Sequence, residues 1–510
     1  MVTHHSGHHI FVGPACSDHC RLTQIPYSIT LTTDPNSPHR SWTSRGQSMQ
    51  FHRVANQIKR PITFAVVGDT HFSHPKFYLE PNREQARSRP LKIEKYIENV
   101  HHVLTPMMEV LRKEAPDFIA MTGDLVEGHA GPDLARSEME VCLSFFNGFD
   151  VPILIAKGNH DSEEAFDHVV RPFLSGTLGW TPEERYYFVD VAGCRLIFLD
   201  TTEWRTGGEQ CSWLEALLKQ GEETRIHRTF VFGHHPIWPV ARSRFTNPDF
   251  HDDLPRVLSK HSIDAYFCGH THNQSIIHHR TNGYPVLQFM GAPIGLADEM
   301  SVPLDRVARI IPRQEDLLSC WPGYLENTAP GWFKVTVGNY DVEAEWHHSI
   351  RGVETHTKWC KRGDVDRFDH LLPPSDARLI PSDLPSIRRA FFRFCAWESE
   401  TPAKHLKING VEVGELPGGS DYLPLRMELP TWCLTELKME NRIVIQADEQ
   451  DVSTLGNLVL EAILPGGRIV RTKPTGETFT WNAGTKDLVT ESPRRKLKQG
   501  RSLTTLLSFD

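Results

Sequence analysis

The chain has 510 residues, 39% of them hydrophobic and 23% charged, and 64 acidic against 55 basic side chains leave it at a net charge of -9. The length suggests two to four domains, and the mild negative balance argues against a nucleic-acid grip, which needs a broad basic surface. A small phosphorylated substrate is not excluded, because bound metal ions supply a positive field locally.

Residues 1–60 are polar and rich in His, Ser, Thr and Pro, and read as an extension with one strand over Tyr27–Thr32. Their start lacks the basic stretch and apolar run of a secretory signal. No segment of the chain approaches the roughly 18 apolar residues of a membrane helix. A cytoplasmic location without a membrane span is therefore expected. Cys16, His19 and Cys20 are read as a poorly ordered tail rather than a metal site, and the ten cysteines show no compact disulfide framework.

From Pro61 onward, short apolar runs recur, each closed by Gly and polar residues: ITFAVVGD (62–69), DFIAMTGD (117–124), PILIAKGN (152–159), RTFVFGH (228–234) and DAYFCGH (264–270). Runs of four to six apolar residues bounded by Gly suit strands buried on both faces. Between them, Ile93–Glu114 has apolar residues near a 3.6 period, with Pro106 a candidate kink, and 133–149 and 211–219 are shorter helices. This strand–helix alternation predicts an α/β layered domain over 61–346. Further strands are expected at Tyr186–Asp190, Arg195–Asp200, Pro285–Met290 and Phe333–Val337.

Residues 347–383 are polar and end among Pro373, Pro374 and Pro381, which reads as a linker. Over 384–490, short β-rich runs separated by Gly/Pro turns predict a small β-sandwich, with a hint of helix at Leu434–Met439. Trp397 and Trp432 are expected in its core. Residues 491–510 read as a basic, disordered tail.

Each Gly-closed strand ends in potential metal ligands: Asp69 and His71, Asp124, Asn159 with His160 and Asp161, His234 with His235, and His270 with His272. In α/β sheets, ligands gather at the carboxyl ends of strands. Carboxylates, imidazoles and one amide suit Mn, Fe or Zn better than a thiolate-rich structural site, and Cys268 is read as an apolar strand residue. Seven ligands are too many for one ion and fit two, with Asp124 the natural bridge. Two ions neutralise a phosphate ester, lower the pKa of a bound water and clamp the in-line geometry. The expected nucleophile is a hydroxide between the ions. His160 is placed to protonate the leaving oxygen, and Asp161 to orient His160 or keep it charged.

The order D-x-H, G-D, G-N-H-D, G-H, G-H-x-H resembles the calcineurin-like metallophosphoesterase family over about residues 61–300. The resemblance implies a four-layer α/β/β/α sandwich, here followed by the small β-sandwich, and a dinuclear site. It assigns one ion to Asp69, His71, Asp124 and His272, and the other to Asp124, Asn159, His234 and His270. His235 is then a packing or supporting residue, and His74 and His129 are candidates for substrate contact. Glu127 stands where a purple acid phosphatase carries its Tyr ligand, which argues against that subgroup. The segments FLDTTE (198–203), EQCSWLEALL (209–218) and FGHHPIW (232–238) are most similar to class III cyclic-nucleotide phosphodiesterases. Residues 74–92 look inserted, and would wall the site. The expected function is phosphodiester hydrolysis. Alternatives are a phosphomonoesterase or nucleotidase, and a catalytically silent metal-binding scaffold presenting the β-domain.

Overall fold

The computed structural model describes residues 61–509 except 73, 75–103, 129–131, 147–150, 225, 241–247, 292–311, 322–330, 349–351, 372–378, 398–403, 418–422, 448–452, 473–474, 476–477, 482–493 and 498–500. The expected strand at Tyr27–Thr32, the Cys16–Cys20 cluster, the first part of the Ile93–Glu114 helix and nearly all of the 74–92 insertion lie outside the described residues.

In chain order, the first half runs β1 (Ile62–Val67), α1 (Thr105–Glu114), β2 (Phe118–Met121), α2 (Pro132–Phe146), β3 (Ile153–Ile155), α3 (Arg171–Leu178), β4 (Tyr187–Val191), β5 (Cys194–Phe198), α4 (Glu209–Glu223), β6 (Arg228–Phe232), α5 (Pro248–Lys260), β7 (Ala265–Cys268), β8 (Gln274–His279), β9 (Val286–Met290), β10 (Leu317–Trp321), β11 (Gly331–Val337), β12 (Val342–His348), β13 (Gly352–Trp359) and β14 (Arg367–His370). They form two seven-stranded sheets, ordered β14-β13-β12-β11-β1-β2-β3 and β10-β8-β9-β7-β6-β5-β4. The ligand-bearing strands are parallel to their ligand-bearing neighbours, β1 to β2 to β3 and β6 to β7.

The period-two alternation of the second sheet decides its layers. Phe230 and Phe232 of β6 and Phe267 of β7 face the first sheet, in one core with Phe64, Phe118 and Phe333. Val231, Tyr266 and Cys268 face the other way, against Trp213, Leu214 and Leu217 of α4 and Leu254, Val257 and Leu258 of α5. Helices α1 and α2 bury Met107, Met108, Leu111, Met139, Cys142 and Phe146 in the core they share with the first sheet. The layering is thus α/β/β/α. Tyr187, Phe198, Phe232, Phe267 and Phe289 stack in sequence across the second sheet, with centroids 4.9, 4.7, 5.4 and 5.1 Å apart. Each such pair adds about 0.5–1.5 kcal/mol beyond its area burial. Between the sheets, Phe64 of β1 meets Phe230, Phe232 and Phe267 edge-on, with centroids 5.4, 6.1 and 6.2 Å apart, and the carboxyl ends of β1, β2, β3, β6 and β7 meet at one edge.

Pro106 is the second residue of α1 (Thr105–Glu114), and residues 101–103 ahead of it lie outside the described residues. The sheet does not stop near residue 346. Residues 347–383, expected as a linker, instead supply the end of β12 and all of β13 and β14 to the first sheet. Trp359 at the end of β13 is fully buried, stacked 5.8 Å from Phe289. The polar composition misled because the strand alternates, so Thr355 and Thr357 face inward while Lys358 stays in contact with solvent.

The second half contains β15 (Arg389–Trp397), β16 (Lys404–Ile408), β17 (Val411–Leu416), β18 (Leu423–Glu428), β19 (Glu440–Gln446), β20 (Ser453–Ile463), β21 (Ile469–Arg471), β22 (Thr478–Trp481), β23 (Arg494–Leu497) and β24 (Ser502–Ser508). One sheet runs β18-β15-β20-β22-β23, with β21 on β20, and the other β17-β16-β19-β24. Phe392, Phe394, Leu406, Ile408, Ile443, Ile445, Leu460 and Trp481 fill the core between them.

Residues 491–510, expected as a disordered basic tail, instead contribute β23 and β24. Leu503, Leu507 and Phe509 are buried, and β24 pairs with β19 along its whole length. Trp432, expected in the core, is 51% exposed on the short 3-10 turn Thr431–Glu436, which also replaces the helix hinted at 434–439. Trp397 lies in β15, and its side chain is outside the described residues. None of the seven cysteines whose side chains are described forms a disulfide, and no described helix is long and apolar enough to cross a membrane.

Candidate metal centre

The strand ends continue their ladder for several residues beyond the strands. Asp69 N donates to Gly123 O (3.1 Å), His71 N to Asp124 O (3.0 Å) and Phe72 N to Leu125 O (2.9 Å). Across the cleft, Gly233 N donates to Phe267 O (3.0 Å) and Gly269 N to His234 O (2.9 Å). Keeping these bonds while turning the side chains inward forces unusual torsions. Asp69, His71, Asp124, His270 and His272 all have positive φ, between 42° and 77°, and make up five of the eight non-glycine residues in that region among the described residues. Left-handed backbone costs about 1–2 kcal/mol per non-glycine residue, and such strain gathers where a site demands it.

The glycines before the ligands serve close approach more than turning. A Cβ would meet Thr122 Oγ1 at 2.2 Å from Gly68, Asp124 N at 2.1 Å from Gly158, Tyr266 Oη at 2.5 Å from Gly233 and Asp69 Oδ2 at 2.2 Å from Gly269. Of these preceding glycines only Gly123 has a positive φ itself, at 91°.

The seven candidate ligands converge in two overlapping sets. In the first, His71 Nε2 lies 2.9 Å from His272 Nε2 and 3.7 Å from Asp124 Oδ2, and His272 Nε2 lies 3.7 Å from Asp69 Oδ1. In the second, His234 Nε2 lies 2.8 Å from Asn159 Oδ1, 3.2 Å from His270 Nδ1 and 3.2 Å from Asp124 Oδ2. Asp124 Oδ2 is the atom common to both. It is buried and makes no hydrogen bond, while Oδ1 accepts the His160 backbone N–H at 2.8 Å.

The ring orientations sharpen this. His234 Nδ1 faces the Thr122 carbonyl at 3.0 Å, and a carbonyl only accepts, so Nδ1 carries the hydrogen. In the neutral ring Nε2 then directs its lone pair at an amide oxygen and a carboxylate oxygen. One proton on Nε2 cannot satisfy those acceptors together, whereas a cation can. The donor set of two carboxylates, four imidazoles and one amide oxygen fits two ions of the Mn, Fe or Zn type.

Charge is concentrated accordingly. Burial alone would raise the Asp124 carboxyl, yet the facing His234, with His160 and His71, holds it well below the usual carboxylate range. Burial opposes a proton on His234, but Asp124 outweighs it and lifts that imidazole to about 9. His71 is lowered by burial, against the pull of Glu127.

Asp161 does not orient His160. It is buried, with Oδ1 accepting from Leu125 N and Oδ2 from Gly158 N, both at 2.9 Å, so it ties the β2 and β3 loops together. Burial and the nearby Asp124 push its carboxyl up to about 6. His160 is fixed instead by the Glu127 carbonyl, 2.7 Å from its Nδ1. Its ring packs edge-on to His71 at 4.8 Å, and it groups with His71 and Asp124.

His235 is nearer the centre than a packing role requires, grouping with His234 and His270. Its Nδ1 meets Thr201 Oγ1 at 3.0 Å, and the same hydroxyl accepts from His234 N (3.2 Å) and His235 N (3.0 Å). Burial and the neighbouring His234 depress His235 to about 3. His74 is half-buried with its ring 6.5 Å from that of Phe72, His129 lies outside the described residues, and Cys268 is a buried strand residue.

Sequence reasoning missed Glu127 as a functional side chain. It is 5% exposed, with Oε2 3.3 Å from His71 Nδ1, on the far side of that ring from its ligating nitrogen. A carboxylate behind a metal-ligating imidazole raises the ligand's basicity. Its spacing of three residues from Asp124 was the available signal.

Two packed sheets delivering carboxylates, imidazoles and an amide to one shared edge define an α/β/β/α domain with side-chain clusters that could hold metal ions. Residues 62–274 match the calcineurin-like phosphoesterase family, which is the family this domain resembles. Among curated relatives, it is 30% identical over 177 residues to the glycerophosphodiester phosphodiesterase GpdQ of Enterobacter lignolyticus, covering 33% of this chain and 60% of that protein. It is 43% identical over 140 residues to an uncharacterised protein of Schizosaccharomyces pombe, covering 25% of this chain and 27% of the other. The chain thus spans 60% and 27% of the length of these two relatives, less than two thirds of either. Among solved structures, a purple acid phosphatase from yellow lupin aligns with a TM-score of 0.42 at 16% identity, over 58% of this chain and 52% of that one.

Proposed function

We propose that this chain hydrolyses phosphate esters, with diesters favoured, at a dinuclear centre built from Asp69, His71, Asp124, Asn159, His234, His270 and His272. The observation that carries this reading is Asp124 Oδ2, buried, without a hydrogen bond, and shared by two sets of converging imidazoles. Asp69, His71, Asp124 and His272 would hold one ion, and Asp124, Asn159, His234 and His270 the other. Two such ions, when bound, neutralise the phosphoryl group and activate a water.

The chain's own residues do the rest. The Glu127 carbonyl fixes the His160 ring, so its remaining nitrogen can carry a proton to the leaving oxygen. Asp161 clamps the amides of Leu125 and Gly158, which keeps the bridging carboxylate and the Asn159 turn at one spacing. Thr201 anchors the backbone of His234 and His235. The name of the GpdQ relative supports a phosphodiester substrate.

The test is hydrolysis of bis(p-nitrophenyl) phosphate against p-nitrophenyl phosphate by metal-stripped protein refilled with Mn, Fe or Zn, with Asp124→Asn as control. Metal-dependent diester turnover that vanishes in the variant is expected. Preference for the monoester would move the assignment to a phosphatase. Absence of turnover on either substrate with two ions bound would overturn the hydrolytic reading of these substrate classes.

A further inference from the structure

Lys157 ends β3's loop one residue before Gly158 and two before Asn159, and its side chain is only 3% exposed. Buried lysines are ordinarily matched to a carboxylate. This one is not: among the described residues its ammonium contacts only Thr202 Oγ1, at 2.7 Å, and the Gly158 carbonyl, at 3.4 Å. Thr202 Oγ1 in turn donates to Asp200 Oδ1 at 2.5 Å, and the Thr202 amide donates to that same oxygen at 3.0 Å. The charge therefore reaches a carboxylate only through a hydroxyl, and the chain of contacts joins the end of β3 to the end of β5.

The Gly158 contact gives this arrangement a purpose. The peptide before Gly158 is held by its N–H, which Asp161 Oδ2 accepts at 2.9 Å. The peptide after Gly158 is held by its carbonyl, which Lys157 approaches. Opposite charges thus grip the two peptides flanking one glycine, and that glycine is pressed so closely against Asp124 that a Cβ would lie 2.1 Å from Asp124 N. The peptide that Lys157 holds is the one leading directly into Asn159, whose Oδ1 lies 2.8 Å from His234 Nε2.

We propose that Lys157 is a positioning residue for the ion position of Asn159, His234 and His270: its ammonium pins the Gly158–Asn159 peptide to Thr202 and so aims Asn159 Oδ1. The proposal rests on the dinuclear reading above. It concerns the position that takes its amide ligand from the β3 loop, because Asn159 belongs to the second set, whereas Asp69, His71, Asp124 and His272 follow β1, β2 and β7.

Stepwise binding of Mn or Zn to the metal-stripped full chain, followed by calorimetry and by direct metal counting, tests it without reference to turnover. Lys157→Met keeps the buried stem and removes the charge. One binding step is expected to weaken about tenfold, as for other residues that orient metal ligands, while the other moves less than twofold. Thr202→Val removes the anchor and leaves the ammonium, and is expected to weaken the same step by a smaller factor. Lys157→Arg is expected to restore part of the loss. Unchanged isotherms in a folded Lys157→Met chain overturn the proposal, as does equal weakening of both steps. Should Lys157→Met fail to fold, Thr202→Val decides alone by the same criterion. A wild-type chain that takes fewer than two ions overturns the dinuclear reading and the Lys157 assignment with it.

Discussion

Gly158→Ala is the sharpest single perturbation of this site. The added methyl carbon would lie 2.1 Å from Asp124 N and 2.2 Å from Asp124 Oδ1, against an ordinary contact that begins near 3.4 Å, so one of the two loops must retreat by about 1.3 Å. Neither loop is free to do so alone. Asp161 ties Gly158 N to Leu125 N, and His160 N is bonded to Asp124 Oδ1. The retreat therefore separates Asp124 from Asn159 and His234. Overpacking of this kind costs about 1–3 kcal/mol of stability, and a displacement of about 1 Å in a catalytic constellation costs on the order of 100-fold in rate.

Turnover of bis(p-nitrophenyl) phosphate, metal stoichiometry and thermal midpoint measured on one preparation would separate the two effects. Gly221→Ala is the control: it lies in helix α4, and its Cβ meets nothing closer than Arg195 Nη1 at 3.4 Å. That variant is expected to keep full activity and to be neutral or slightly stabilised, since Ala exceeds Gly in helix interiors by roughly 1 kcal/mol. A Gly158→Ala chain that binds two ions and turns over at the wild-type rate would refute the close-approach argument for the ligand glycines.

Three further outcomes are expected. Glu127→Gln removes the charge 3.3 Å from His71 Nδ1 and should weaken one metal-binding step by about tenfold, read by competition with a chelator; an unchanged affinity would make Glu127 a packing residue. Thr201→Val leaves the buried His234 and His235 amides without their hydroxyl acceptor, at a cost of about 1–3 kcal/mol in chemical denaturation of the metal-free chain; a loss below 0.5 kcal/mol, roughly, would mean the loop relaxes to other partners. Asp167, partly desolvated, is nonetheless held below its usual value of 3.8 by Arg185 and Arg171. A depressed carboxyl contributes stability above its unfolded pKa and loses it as pH falls through the folded value. Wild type should therefore exceed Asp167→Asn in thermal midpoint at neutral pH, and the gap should close only as pH falls below 3.8 and through the depressed folded value; a gap that persists in stronger acid would point to packing instead.

Much of this was legible along the chain because the signals were local. Five apolar runs closed by Gly and a ligand are readable without knowing any contact, since a strand end, its glycine and its ligand are consecutive residues. The α/β alternation and the short β-rich runs past residue 384 are equally local. Among the strands that escaped notice, β13, β14, β23 and β24 have mixed or basic composition, and their place is fixed by the strands they pair with, as β24 is by β19, far away in sequence. Burial of Thr355 or Leu503 depends on which face a neighbouring strand covers, and no window of sequence contains that neighbour.

The same division runs through the site. The sequence by itself determined the donor types, and so the kind of metal and the kind of ester chemistry they suit. The tertiary structure decided what each donor faces. It turned Asp161 towards the amides of Leu125 and Gly158 and away from His160, placed Glu127 behind His71, and brought the buried Lys157 to Thr202. These contacts span 36 to 56 residues or close a turn in three dimensions. They are set by two sheets meeting at an edge, where a few tenths of an ångström separate a ligand from a neighbour.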